Sequence, residues 1–376
     1  MNLTFAAVLL NVLGPDYAMI IANKLRPAER YLFAKLLPEI GKGSFFVSGG
    51  SITIRPTMAG LVAMDSPFPP GGHIEVSNFL EKTGKIAQET TLTEEVLREL
   101  HQLLADIQLG GGDTTEVLVQ TLLNFAQKVV VQPHLDTFEW LRAQALLFGM
   151  INWQFGNVEL SVNYNFPAGH LRDTKTGNDG FAGSTSKFWE EDKAAKRQLR
   201  NRSGILRVMH SDTFDAILHN PVNNFEVTAE NGQERSVRRL VLRGGLLAPS
   251  SDASESFTVT LYDEEGELLN PKDTSKTTRV PFCTPGRILY TAPTSTDAFR
   301  IGAGATDDAE DQRTLGYTHI APTIEGMNQG QRGGSRWAEV YTPQREPMMV
   351  KGRGVTNGLP VIENADRVVV TSTVLP

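Results

Sequence analysis

The chain has 376 residues, 40% of them hydrophobic and 21% charged, with 34 glycines, 20 prolines and a net charge of −7. That length exceeds one ordinary compact domain and predicts two or three lobes, and the apolar share excludes broad disorder. The acidic balance excludes a dedicated nucleic-acid binder, which needs a basic face to displace counterions from phosphate, and the single cysteine, Cys283, excludes an intrachain disulfide and reads as a small buried residue in a reducing compartment.

The opening stretch Phe5 to Leu13 imitates the apolar core of a signal peptide. No Lys or Arg precedes it, no small-residue cleavage site follows cleanly, and it is too short to span a bilayer. It reads as an apolar arm that a neighbour covers. Residues 15–40 follow with Ile20, Ile21, Leu25, Leu32, Phe33, Leu36 and Leu37 at helical spacing. Pro27 divides them into two short helices, and Pro38 and Gly41 end the second.

Residues 43–92 change period. Ile52 and Ile54, then Ile74 and Val76, alternate with polar neighbours around the turn "DSPFPPGG" at 65–72. The pattern predicts a long two-stranded ribbon with a stiff tip. Such a ribbon is marginal alone in water and needs contacts from outside itself.

A helix is expected over 92–109, opened by a Thr91/Glu94 capping box and striped by Val96, Leu97, Leu100, Leu103, Leu104 and Ile107. A second runs from Thr114 to about Val130. A third, 134–152, is apolar on nearly every side and belongs between layers. Val158, Leu160, Val162 and Tyr164 then alternate as a strand. Residues 165–187 read as loop and 188–202 as a charged helix, whose Lys193, Lys196, Arg197, Arg200 and Arg202 read as a solvated face. "GILRVMHSDTFDAILHNP" gives strand, turn and helix, and strands follow at 237–242, 257–262, 287–291 and 367–374. The class is α+β.

Catalytic signatures are absent from the sequence. The seven histidines show neither HExxH nor zinc-finger spacing, and no G-x-S-x-G elbow or Walker loop occurs. "IGAGATDDAEDQ" at 301–312 lacks the third glycine of a phosphate cradle, and its acids repel phosphate. The pairs Glu94/Glu95, Glu190/Glu191 and Glu264/Glu265 are adjacent, so their side chains diverge. No catalytic residue, cofactor or metal is expected.

Three stretches carry a resemblance: "RPAERYLFAKLLPEI" at 26–40, "ITIRPTMAGLVAMDSPFPPGG" at 52–72 and "IEVSNFLEKTGKIAQETTLTEEVLREL" at 74–100. From Arg26 to Ala105 the chain resembles the start of lambda-type major capsid proteins of tailed bacteriophages. The strand and helix at 204–220 and the β-rich close from Tyr341 resemble later parts of that family. The resemblance implies the Hong Kong 97-type capsid fold, divided here into an N-terminal arm (1–42), an extended loop (43–92), a peripheral domain with a spine helix near 134–152 (93–187 and 340–376) and a mixed α/β axial domain (188–339). It implies a structural shell protein that assembles into hexamers and pentamers of an icosahedral head around double-stranded DNA. The implied partners are further copies of the chain and neighbouring capsomers, a portal protein at one vertex, a decoration protein where one is present, and packaged DNA contacted without sequence preference. No membrane partner is implied. The forty residues before the ribbon are too few for a fused scaffolding domain, so scaffold is expected as a separate chain. The expected place is the virion, assembled in the host bacterial cytoplasm. Arg26 and Arg30, with Pro67, Phe68, Pro69 and Pro70 at the ribbon tip, are the expected intersubunit contacts. The competing readings are another virion component, such as a decoration or connector protein, and a soluble β-rich hydrolase.

Overall fold

The computed structural model describes residues 30–55, 73–92, 131–155, 158–184, 186–200, 205–220, 222–223, 225–228, 237–242, 256–270, 273–292, 294–295, 313–328, 330, 333–334, 336–341 and 349–375, with Glu95, Arg98, Glu99, Gln102 and Asn124 between them. The apolar arm, the helix before Pro27, the turn at 65–72, most of the two helices expected over 92–130, and the acidic loop at 301–312 lie outside the described residues.

Leu32–Leu36 form α1, and Pro38 passes the chain into β1, Glu39–Gly41. The expected ribbon follows. Phe46–Arg55 (β2) pairs antiparallel with His73–Lys82 (β3) through ten consecutive partners, from Phe46–Lys82 to Arg55–His73. The rest of the 43–92 stretch does something different. Gly84–Leu92 (β4) leaves the ribbon and pairs with β18, Val350–Ile362, far along the chain.

Gln132–Phe148 form α2, the long helix. Pro133 suits its first turn, where the missing N–H is not needed. The apolar pattern predicted a helix to residue 152, but Gly149 takes φ +66 and closes it by donating its N–H to the Ala145 carbonyl at 3.1 Å. A left-handed glycine ends a helix whatever the hydrophobicity beyond it. The chain then turns into Met150–Phe155 (β5), paired with Val158–Asn163 (β6), the latter as expected.

Two sheets flank α2. The first is centred on β18, which has β4 along one side and Gly316–Ala321 (β16) and Trp337–Tyr341 (β17) along the other; β1 pairs parallel with β16. β18 is buried on both faces over Gly354–Ile362, so its sequence lacks the alternation of a half-exposed strand. The chain reaches this sheet at Gly316, ahead of residue 340. The second sheet runs, in spatial order, Val368–Ser372 (β19), Arg287–Thr291 (β13), Leu206–Met209 (β7), Ser256–Leu261 (β10), Val237–Leu242 (β9) and Phe225–Thr228 (β8). Smaller pairs are Glu265–Asn270 (β11) with Asp273–Pro281 (β12), and Thr294–Ser295 (β14) with Arg313–Thr314 (β15).

The main core lies around α2. Leu135, Phe138, Leu141, Ala145, Leu146 and Leu147 meet Phe33 and Leu37 of the α1 segment, Leu359 and Val361 of β18, and Val208, Leu289, Val368 and Val370 from one face of the second sheet. Each Leu or Phe fully buried in this way contributes about 1.5–3 kcal/mol over leaving it exposed. Gly358 lets α2 come close to β18, since a Cβ there would stand 2.8 Å from the Phe138 ring and 2.7 Å from the His319 carbonyl. The other face of the second sheet, through Met209, Val259, Ile288, Tyr290 and Val369, is covered by Phe188–Gln198 (α3) and Ser211–Leu218 (α4). Cys283 is fully buried, and desolvation pushes its thiol up to about 12.

Candidate assembly surface

Residues 30–46 lead into the ribbon, and a polar row on α2 holds that segment. Gln132, Asp136, Glu139 and Arg142 recur at spacings of three and four, on one side of the helix. The Tyr31 hydroxyl hydrogen-bonds Asp136 and Gln132. One turn on, the Phe33 amide donates to Glu139 Oε1 at 2.7 Å. Arg142 then reaches Glu39 at 2.8 Å and donates from Nε to the Thr318 hydroxyl at 2.8 Å, and that hydroxyl donates to the Leu37 carbonyl. The segment therefore runs alongside α2, anchored at each turn.

The centre of this row is charged and dry. Glu139 and Arg142 are fully buried and paired at 3.2 Å. Glu139 also accepts from the Tyr262 hydroxyl at 2.8 Å, which ties in the far end of β10. Glu39 takes a second guanidinium, that of Arg336. Two carboxyls thus face two guanidiniums. Burial opposes ionisation of Glu39, but Arg336 and Arg142 overcome it and hold the carboxyl below its usual range. For Glu139, desolvation wins over Arg142 and the hydrogen bonds and pushes the carboxyl up. His134, one helical turn from Phe138, is buried with neither ring nitrogen bonded among the described residues. Desolvation, helped by the charge on Arg336, lowers it to about 4.

Beyond β1 the chain turns outward. The Lys42 amide donates to the Ile320 carbonyl at 2.8 Å, His319 Nε2 meets the Ser44 carbonyl at 2.8 Å, and Thr83 closes the ribbon root by donating its amide and hydroxyl to the Phe45 carbonyl, both at 3.1 Å. Val47 is buried. Ile40, Phe45 and Phe46 are 43%, 40% and 51% exposed, three large apolar side chains within seven residues at the ribbon root. Among the described residues, β2 and β3 pair only with each other.

Of the contacts expected from sequence, Arg26, Pro67, Phe68, Pro69 and Pro70 lie outside the described residues. Arg30 is exposed and lies within reach of its own chain: 3.3 Å from Asp136, 3.6 Å from Glu264 and 2.9 Å from the Tyr31 hydroxyl. The anchoring row itself was not foreseen. Its signal was present in the sequence: Glu139 and Arg142, three apart, sit inside an otherwise apolar helix, and a charge at a core position is almost never left without a partner.

No protein-family model matches the chain, and no curated protein matches its sequence. Its fold is found among solved structures. A capsid protein attributed to a prophage of Escherichia coli CFT073 superposes with a TM-score of 0.56 at 8% identity, over 91% of this chain and 93% of that one. A phage-related protein of Bordetella bronchiseptica RB50 gives 0.46 at 12% identity, over 94% and 95%. The capsid of cyanophage A-1(L) gives 0.43 at 8% identity, over 92% of each chain. A long helix between two sheets, a self-paired ribbon leaving one of them, and a likeness to the prophage protein that runs nearly end to end together place this chain in the Hong Kong 97-type capsid fold.

Proposed function

We propose that the chain is the major structural subunit of an icosahedral phage head, acting by self-association and not by catalysis. The observation that carries this reading is the fold shared with the prophage capsid protein through 91% of the chain. The ribbon supports it independently. Ten backbone pairs with no third strand among the described residues make a marginal element in water, and the open edges and apolar root fit a protein whose neighbours complete it. Copies arranged in hexamers and pentamers would make heterologous contacts that close by rotation. Many modest contacts then act together.

The finer reading adds a separate scaffolding chain during assembly in the bacterial cytoplasm, a portal protein at one vertex, a decoration protein where present, and packaged DNA inside. Arg26, Arg30, Pro67, Phe68, Pro69 and Pro70 are assigned to intersubunit contacts. The proposed lobes are an arm (1–42), an extended loop (43–92), a peripheral domain (93–187 and 340–376) and an axial domain (188–339).

Electron microscopy of the purified chain, with and without its scaffold, tests the main reading. Closed icosahedral particles are expected, and a small monomer under every condition would overturn it. Deleting residues 60–72 is expected to leave a folded monomer that forms no shells. Normal shells from that deletion would remove the ribbon tip from assembly.

A further inference from the structure

Helix α3 divides its charges by face. Phe188, Asp192, Ala195 and Leu199 are buried against the second sheet. The inward acids are neutralised at home: Asp192 pairs with Arg207 and with Lys196 at 3.0 Å, and Glu191 with Lys175 and with Arg172 at 2.7 Å. The outward row is Trp189, Lys193 and Arg197, at successive steps of four, and Arg200 follows just past the end of the helix at φ +54. The Trp189 ring lies 6.0 Å from the Lys187 ammonium and 4.9 Å from that of Lys193. The acid on this side, Glu190, pairs with Lys187 at 3.5 Å. Arg197 and Arg200 are exposed. A chain of net charge −7 thus presents a cationic row with an aromatic at its head.

The opposite sign gathers elsewhere on the same sheet. Asp263, Glu264, Glu265 and Glu267 follow the end of β10, with Asp263 50% and Glu267 58% exposed. Asp212 of α4 is brought beside them: the Ser211 amide donates to Asp263 at 2.7 Å, and His210 stands 3.4 Å from Asp212 and 3.8 Å from Asp263. The cations nearby are Arg30, 3.6 Å from Glu264, and Arg279, 3.7 Å from Glu267. α3 packs on β19, and β10 lies three strands away, about 14 Å across the sheet.

We propose that the basic row of α3 in one copy docks on the acidic corner at 263–267 of a second copy. The inference rests on the shell reading and names one contact within it. Unlike patches at two separate places on one chain can meet on a second copy either reciprocally, in a two-fold pair, or in one direction only, and the shell reading selects the second. The one-way arrangement is a head-to-tail contact, and head-to-tail contacts close into rings. Tryptophan and arginine are the side chains that most often carry interface energy. A nucleic acid would use the row and be repelled by the corner.

The test compares full-length variants by electron microscopy and light scattering. R197E/R200E, and separately E265K/E267K, are expected to keep the wild-type unfolding midpoint and lose at least about tenfold in particle yield, since like charges now face each other. The milder R197Q/R200Q is expected to lose less, in the same direction. Mixing the two charge-reversed chains is expected to restore six-membered rings, because alternating copies again pair unlike patches. Wild-type yield from either variant alone, or no recovery on mixing, would overturn the contact while leaving the shell reading standing. Full yield of particles that fail to retain DNA would assign the row to nucleic acid and overturn it as well. No particles from wild-type protein would remove the shell reading, and this contact with it.

Discussion

Two antiparallel systems in this molecule use the same backbone chemistry to different ends. The ribbon makes ten consecutive pairs between β2 and β3, and no third strand joins it among the described residues. β18 is barely longer, yet it has β4 on one side, β16 and β17 on the other, and Phe138 of α2 against Gly358. Hydrogen bonds alone do not separate them. A ladder becomes a stable part of a body when both edges and one face are covered. β18 meets that condition within one chain. Among the described residues the ribbon does not, and under the shell reading neighbouring copies supply what it lacks.

The junction between the two systems is residues 30–46, and the largest expected effect lies there. Among the described residues, Arg142→Ala leaves Glu139 buried beside Tyr262 and the Phe33 amide, and leaves Glu39 with Arg336. Removing one partner of a buried pair destabilises by about 3–5 kcal/mol, read as a drop in the urea midpoint. A loss under about 1 kcal/mol would mean that the row is not what fixes the ribbon to the body.

Next in size is an acid effect. His134 has a folded value of about 4 against 6.5 unfolded. A depressed value means stability that is complete above about pH 6.5 and is lost as the pH falls toward 4. The difference amounts to about 3 kcal/mol at most. Glu39, also depressed, adds to the loss below about pH 4.5, whereas Glu139, raised, works in the other direction. His134→Leu is expected to flatten the unfolding free energy between pH 6.5 and 4. An unchanged slope would show that His134 finds a partner or water on protonation.

The sequence made the ribbon legible because period two and a Pro/Gly turn are local signals. α2, β6, α3, α4 and the strands at 206–209, 237–242, 256–261, 287–291 and 368–372 were legible because their patterns, helical or alternating, are likewise local. β16 and β17 were not, and β18 was covered only by the likeness of the chain's β-rich close. Gly316–Ala321 is buried at every residue and β18 nearly so, and a strand covered on both faces shows no alternation. β5 was absorbed into the helix because Met150 and Ile151 continue its apolar run, while the φ of Gly149 has no echo in hydrophobicity. The charged centre of the anchoring row joins Glu39, Glu139, Arg142 and Arg336, which lie up to 297 residues apart. Two of the four share one helix at a spacing of three, a signal the sequence reading passed over; only the folded chain shows all of them.

Phe46→Asp sharpens the contrast from the ribbon's side. Its side chain is 51% exposed in the isolated chain, so stability is expected to change within about 0.5 kcal/mol. If a neighbour covers the ribbon root, a buried, unpaired carboxylate would block that contact. Particle yield should then fall while the urea midpoint holds. Normal particles would place the root outside any contact between copies.

The smallest expected effect on folding falls on Arg30, where the intrachain and intersubunit readings diverge. Its side chain is 41% exposed, and its guanidinium lies 3.3 Å and 3.6 Å from its two carboxylate partners. Pairs with that exposure are worth about 0–1 kcal/mol, because water and salt screen them and a long side chain loses freedom in holding them. The neighbouring Tyr31 stays anchored by Asp136 and Gln132 without it. Arg30→Ala should therefore leave the urea midpoint almost unchanged. If particle formation falls all the same, the contact that matters for Arg30 lies on another copy, and its ion pairs to Asp136 and Glu264 serve to aim it. If both the midpoint and the particles are unaffected, Arg30 is a solvated charge, and the hold on the arm rests on the row from Tyr31 to Arg142.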